Sequence, residues 1–322
     1  MKLELYPLIF EPIFKDRIWG GNKLGAVLNK NIPNETTGES WELSAVSGDV
    51  SQIANGNWKG RSLQDLIDLY PVELMGEKVY RQFGKQFPLL FKFLDAKLDL
   101  SIQLHPNDEL AQKRHNSFGK TEMWYVLQAD EDSRLIVGFK EKATPQKYLQ
   151  HLENKTLVSI LDEIPVKQGD VFLLETGTIH AIGAGIVIAE IQQTSDITYR
   201  IYDFDRKDAN GNLRELHVDL ALDAINYEVT NAKKEYAREV NASNLAVHCP
   251  YFTTNVIPLE GEIKRTKNTD SFMVYICTEG IVEIRVKENT YQFKKGDTIL
   301  IPAFLTDYQL IGNSELLEIF IS

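Results

Sequence analysis

The residues best placed to do chemistry lie in Ser101-Ile102-Gln103-Leu104-His105-Pro106-Asn107-Asp108. Polar and apolar side chains alternate there with a period of two. In a β-strand, Ser101, Gln103 and His105 share one face, and Ile102 and Leu104 take the other. Gln103 and His105 then set an amide oxygen and an imidazole roughly 6–7 Å apart along one wall. Pro106 removes a ladder donor and ends the strand. This is half of a metal site. The other half needs a carboxylate or imidazole on a neighbouring strand, and Glu122 and His180 are the candidates. Two His, one Glu and an amide oxygen form a plausible zinc set with positions left open for water or substrate; iron or manganese would accept it too. The remaining histidines, His115, His151, His217 and His248, lie in polar or turn contexts and read as solvated or capping residues.

Strands must position these groups. Pro88 opens an apolar run, Leu89-Leu90-Phe91-Lys92-Phe93-Leu94, in which Lys92 either snorkels out or points into a pocket. Gly119-Lys120-Thr121-Glu122-Met123-Trp124-Tyr125-Val126-Leu127 reads as another strand, with Lys120 on the Glu122 face. A carboxylate buried there needs a partner. Ile186–Gln192 is a third strand, followed by Ser195-Asp196 and a piece carrying Arg200. Residues 1–60 read as short strands and turns, and Trp19 and Trp41 as packing residues or pocket walls. Ser62 and Asp65 form a helix-capping signal. Helical spacing follows over 61–83 and returns over 143–163. Residues 106–119 read as a polar loop, and Asn210-Gly211 as a turn.

Two segments repeat. Lys167-Gln168-Gly169-Asp170-Val171-Phe172-Leu173-Leu174 resembles Lys294-Lys295-Gly296-Asp297-Thr298-Ile299-Leu300-Ile301, and Met123–Leu127 can be laid on Met273–Cys277. On that alignment Glu122 falls on Phe272 and His180 on Asp307, so the second copy lacks the candidate ligands. Short strands joined by Gly-Asp turns, with a histidine soon after, resemble the cupin β-barrel. The expected fold is therefore mainly β: tandem cupin (β-barrel or jelly-roll) domains with a small helical insertion. Residues 1–240 would form a catalytic domain and 241–322 a structural one.

Composition narrows the partners. The chain has 322 residues and a net charge of −11, which disfavours nucleic acid as a partner. No apolar run approaches membrane-spanning length, and Met1–Phe10 lacks the basic flank of a signal peptide. Cys249 and Cys277 form no CxxC pair. A cytoplasmic protein without nucleic-acid or membrane partners follows as the expectation.

At the motif level the chain resembles the type I mannose-6-phosphate isomerases (phosphomannose isomerases) in their short bacterial form. Phe87–Ala96 running into Leu100–Asp108, Gly119-Lys120-Thr121-Glu122, Gly177-Thr178-Ile179-His180-Ala181 and Ser195-Asp196 with Arg200 carry the likeness. Trp19-Gly20-Gly21 and Glu39-Ser40-Trp41-Glu42 match as well. The resemblance implies one zinc per chain on Gln103, His105, Glu122 and His180, a catalytic Arg200, and Lys92, Lys120 and Asp196 lining the site. It implies interconversion of mannose 6-phosphate and fructose 6-phosphate through a cis-enediol, by a monomer or weak homo-oligomer. Long relatives carry a histidine where this chain has Gly119, so no mechanism using that histidine as base applies here. Lys120, Lys92, Asp196 and a zinc-bound hydroxide remain open as the base. A non-catalytic tandem-cupin sugar-phosphate binding protein is the main alternative, and a cupin oxygenase or epimerase a weaker one, since those usually begin their ligand set with two closely spaced histidines.

Overall fold

The computed structural model describes residues 5–207 and 211–322, so Asn210 of the expected turn lies outside the described residues. Two sheets face each other in the N-terminal part. The larger runs in the order Lys233–Lys234, Val171–Leu174, Glu122–Ala129, Ile186–Gln193, Leu89–Ala96, Thr37–Leu43, Ile13–Gly21. The smaller runs Leu161–Pro165, Arg134–Phe139, His180–Ile182, Ile102–Leu104, Tyr199–Tyr202. These are open sheets packed as a cupin-like sandwich rather than a closed barrel. Between them sit Trp19, Leu94, Trp124, Val126, Leu135, Val137, Phe172 and Ile188. Ile102 and Leu104 leave by the opposite face and pack with Tyr148, Leu157 and Ile179. The period-two pattern of the opening stretch is thus resolved into one polar, inward face and one apolar, outward face.

The C-terminal sheet orders Leu8–Ile9, Thr298–Ile301, Met273–Val286, Asp307–Phe320, Thr253–Thr266 and Asn244–His248, with Asn289–Lys294 paired to Met273–Val286. Its edge strand comes from the far end of the chain: Leu8 pairs with Leu300 and Ile9 with Ile299. Three short helices, Leu63–Leu69, Pro71–Met75 and Glu77–Phe83, fill the space between the two parts. The first begins with a reciprocal cap: Asp65 N–H donates to Ser62 Oγ at 3.0 Å, and Ser62 N–H to Asp65 Oδ2 at 2.9 Å. Leu66, Ile67, Leu74 and Met75 join Val256, Phe272, Leu300 and Leu317 in one core. Gly76 allows a close approach, since a Cβ there would lie 2.2 Å from the Asp270 carbonyl oxygen.

Several local readings are corrected. Residues 106–119 are not all loop: Asp108–His115 is a helix, capped by Asn107 Oδ1, which accepts from Leu110 N–H at 2.9 Å. Residues 1–60 include a helix, Lys23–Leu28, and a 3-10 turn, Gly56–Trp58. The helical stretch after 143 gives way to strand at Leu161–Pro165. The repeat also shifts by one residue. Leu174 pairs with Glu122, and its counterpart Ile301 pairs with Met273, so Glu122 corresponds to Met273 rather than Phe272. Asp307 does sit opposite Thr266 as His180 sits opposite Gln103.

Candidate metal centre and substrate cavity

Backbone register brings the four candidate ligands together from both sheets. In the smaller sheet Gln103 lies between His180 and Arg200 as its paired neighbours. Glu122 begins its strand in the larger sheet, opposite Leu174 and Gln192. Across the sandwich, ligating atoms of His105, Glu122 and His180 lie within 4.8 Å of one another, all three residues buried. His105 Nε2 is 3.4 Å from Glu122 Oε2, and His180 Nε2 is 3.5 Å from Glu122 Oε1. Gln103 joins at the rim, its Nε2 3.5 Å from His180 Nε2.

Tautomers follow from the surroundings. His105 Nδ1 lies 2.8 Å from the Ile197 carbonyl oxygen, and His180 Nδ1 lies 2.9 Å from that of Thr178. A carbonyl only accepts, so each Nδ1 carries the hydrogen and each Nε2 keeps a lone pair aimed at the common point. Burial, reinforced by the nearby Lys120 charge, pushes the His105 imidazole down to about 3. Burial likewise lowers His180, against the opposing charge of Glu122. Both Glu122 oxygens are buried without a hydrogen-bond donor. Lys120 Nζ lies 2.9 Å from Oε2 as an ion pair, but not aligned as a hydrogen bond. Burial alone would raise this carboxyl; Lys120, then His105, hold it well below the ordinary range. Lys120 Nζ also approaches His105 Nε2, at 3.1 Å. Two neutral imidazole lone pairs and an ionised carboxylate gathered at one point are the donor set of a divalent metal.

The cavity beside this cluster has a volume of about 400 Å³. Gln103, His180, Lys92, Lys120, Asp196 and Arg200 all line it. Lys92 does not snorkel: it is 6 % exposed, 3.1 Å from Glu190 and 5.0 Å from the centre of the Trp41 ring. Trp19 and Trp41 are both buried and both line the cavity. Arg200 hands Nη1–H to the Glu215 carbonyl at 3.0 Å and approaches Ser101 Oγ at 3.3 Å through Nε. Asp196 is exposed at the rim and forms no ion pair among the described residues.

Sequence reasoning passed over four charged residues of this cavity: Arg17, Glu39, Glu190 and Arg214. Glu39 accepts from Arg17 Nε at 2.8 Å and from Trp41 Nε1 at 2.7 Å. Glu190 accepts from Trp124 Nε1 at 3.0 Å. A usable signal existed for Glu190, a lone carboxylate inside the apolar run Ile186–Ile191, as Lys92 is inside Leu89–Leu94. Arg214 carried none, since it lies in an irregular charged segment and is placed by its pairing with Asp203.

A family model for the catalytic domain of phosphomannose isomerase type I matches residues 8–135, and one for the mannose-6-phosphate isomerase cupin domain matches residues 242–321. A mannose-6-phosphate isomerase of Bacillus subtilis is 38% identical over 96% of this chain and 97% of its own length. The chain belongs to the type I phosphomannose isomerase family. A mannose-6-phosphate isomerase of Streptococcus mutans is 36% identical over 97% of both chains. The crystal structure of a mannose 6-phosphate isomerase from Bacillus subtilis superposes with a TM-score of 0.89 at 32% identity, covering 98% of this chain and 99% of that one. Phosphomannose isomerase from Salmonella typhimurium shares the fold, with a TM-score of 0.82 at 17% identity. Among the described residues no helix is long and apolar enough to cross a membrane.

Proposed function

We propose that this isomerase-family chain interconverts mannose 6-phosphate and fructose 6-phosphate at the cavity described above, with one zinc held by His105, Glu122, His180 and Gln103. The observation that carries this reading is the convergence of three buried donors within 4.8 Å beside a cavity that Arg200 also lines. Zinc, when bound, would act as a Lewis acid toward the adjacent carbonyl and hydroxyl oxygens of the sugar. Isomerisation moves a proton between C1 and C2 through a cis-enediol, and the protein has to stabilise the oxyanion that develops and to move that proton.

Arg200 supplies a fixed positive charge for the oxyanion. Lys120 is engaged beside the metal ligands, 2.9 Å from Glu122 and 3.1 Å from His105 Nε2. Lys92 is likewise engaged with Glu190. Among the carboxylates lining the cavity, Glu39 and Glu190 already accept hydrogen bonds from cavity side chains. Asp196 is the one left free to carry the proton. Arg17 and Arg214, with Arg200, give the rim the guanidinium groups a phosphate would meet. The same reading places the protein in the cytoplasm, where sugar phosphates are handled.

A coupled assay of mannose 6-phosphate conversion, with chelator and then with added zinc, tests the whole proposal. Activity should vanish and return. Zinc-loaded protein that converts none of the sugar would overturn it. For the base, Asp196→Asn should lower kcat by about 10²–10⁴-fold with KM little changed; an unaltered kcat removes Asp196 from the mechanism.

A further inference from the structure

The C-terminal sheet carries a second cavity, of about 520 Å³, in the place that corresponds to the substrate cavity of the N-terminal part. The backbone ladders establish the correspondence. Glu190 pairs with Lys92 on one side and Trp124 on the other; Glu318 pairs with Asn255 and Tyr275. The flanking strands even share a bulge, between Trp41 and Leu43 in one and between Leu245 and Val247 in the other. The metal ligands are gone: Met273 replaces Glu122, Asp307 replaces His180 and Thr266 replaces Gln103. The polar floor is kept. Glu318 is 5 % exposed and accepts from Asn255 Nδ2 and Tyr275 Oη at 2.9 Å each and from Ser243 Oγ at 2.8 Å.

Glu318 thereby accepts from three neutral donors, and the cations beside it are not paired to it as closely. Arg265 reaches Glu318 at 3.2 Å through Nη2, and its Nε is buried with no partner. Lys267 Nζ meets only the carbonyl oxygens of Ala303, Ser271 and Asn268, at 2.9, 3.2 and 3.4 Å, and forms no ion pair among the described residues. Burial pushes its amine down to about 8, the mark of a cation lacking a counter-charge. Arg265 and Lys267 both line the cavity, together with the carboxylate residues Glu318 and Asp270. Asn255 lines the same space, and its amide oxygen makes no hydrogen bond among the described residues. A volume of this order suits a monosaccharide-sized ligand.

We propose that the C-terminal cupin unit holds a second, metal-free ligand site that takes a small phosphate ester bearing hydroxyl groups. The Arg265 guanidinium and Lys267 Nζ receive the phosphate, and Asn255 receives a hydroxyl. The site is separate from the isomerase centre and does not depend on its chemistry.

Calorimetric titration of the full chain with glycerol 3-phosphate tests this, with Lys267→Met and Arg265→Gln as variants. Wild type should show a saturable event in the millimolar range or tighter. Both variants should weaken that event by about tenfold or more, while kcat/KM for mannose 6-phosphate stays within about twofold. Equal binding in all three proteins, or no saturable binding, overturns the site. Inorganic phosphate should bind more weakly than the ester, and equal affinity removes the hydroxyl contact. Should either variant misfold, a wild-type crystal soaked in glycerol 3-phosphate decides: density between Arg265 and Lys267 supports the site, and density confined to the other cavity rejects it.

Discussion

Two imidazoles that each give Nδ1–H to a backbone carbonyl have only Nε2 left to offer, and both Nε2 atoms face Glu122. Removing one donor therefore leaves the other two without a shared task. Glu122→Gln should cut zinc affinity by at least about a hundredfold, read as metal content after dialysis. Stoichiometric retention of zinc would reject the assigned ligand set. The Arg200 side chain bonds to Ser101 and the Glu215 carbonyl rather than to the ligands, and should be separable from them. Arg200→Ala should keep its metal and lose about 10²–10³-fold in kcat, whereas a mere binding protein would change only in affinity. Glu39 has its own signature. Burial alone would raise its carboxyl, but the charges of Lys92 and Arg17, and hydrogen bonds from Arg17 and Trp41, hold it down from 4.5 to about 2. A carboxyl lowered in the folded state adds stability that is fully present above its unfolded value and is lost as the pH falls toward the folded one. That contribution, at most about 3 kcal/mol, should vanish between roughly pH 5 and pH 2. Glu39→Gln should flatten the acid limb of a stability–pH curve over that window; an unchanged limb would exclude the effect.

At the scale of elements, the strand Ile102–Leu104 and the apolar runs around Lys92 and Glu122 were legible because alternation and buried charge leave a local trace. A lone charged residue inside an apolar strand has to face something polar, and here that is the cavity. The helix Asp108–His115 left no such trace, since Leu110 and Ala111 are its only apolar residues and its fold comes from the Asn107 cap. Arg17, Glu39 and Arg214 were not singled out as cavity residues for another reason: Arg17 and Glu39 meet only across neighbouring strands, and Arg214 is placed only by its ion pair with Asp203. The helix also explains Gly119. Its amide donates to Asp108 Oδ1 at 2.8 Å, and Asp108 is held further by Gln193 at 3.0 Å and Tyr251 at 2.7 Å. A Cβ at 119 would lie 2.7 Å from Asp108 N and 2.8 Å from the Asn107 carbonyl carbon, both backbone atoms. Gly119→His should therefore destabilise the chain by about 1–3 kcal/mol, seen in the denaturant midpoint, without raising kcat. A stable variant with higher turnover would show that the loop yields and that the missing histidine was a loss rather than an exclusion.

For the whole molecule, the question is whether the two cupin parts fold as separate bodies. The repeat in the sequence suggests independence, and the packing argues against it. One core joins Leu8, Leu66, Ile67, Leu74 and Met75 to Phe272, Leu300, Leu317 and Ile319. Phe87 and Phe272 meet with ring centres 4.8 Å apart. Ala303 and Phe304 donate their amides to the carbonyls of Leu74 and Glu73, both at 2.9 Å. Separating the parts would expose this apolar surface and cut those bonds, so neither part has a low-energy state alone. Metal-loaded protein should accordingly unfold in one calorimetric transition, with the van't Hoff and calorimetric enthalpies equal. Deleting residues 1–10 removes the buried Leu8 and Phe10 and strips the edge strand from Thr298–Ile301. At about 1.5–3 kcal/mol for each buried side chain, that truncation should lower the single transition rather than split off a melting C-terminal part. Two resolved transitions in the intact chain would mean that the helices between the parts only cover the C-terminal sheet and do not couple its folding to the catalytic half.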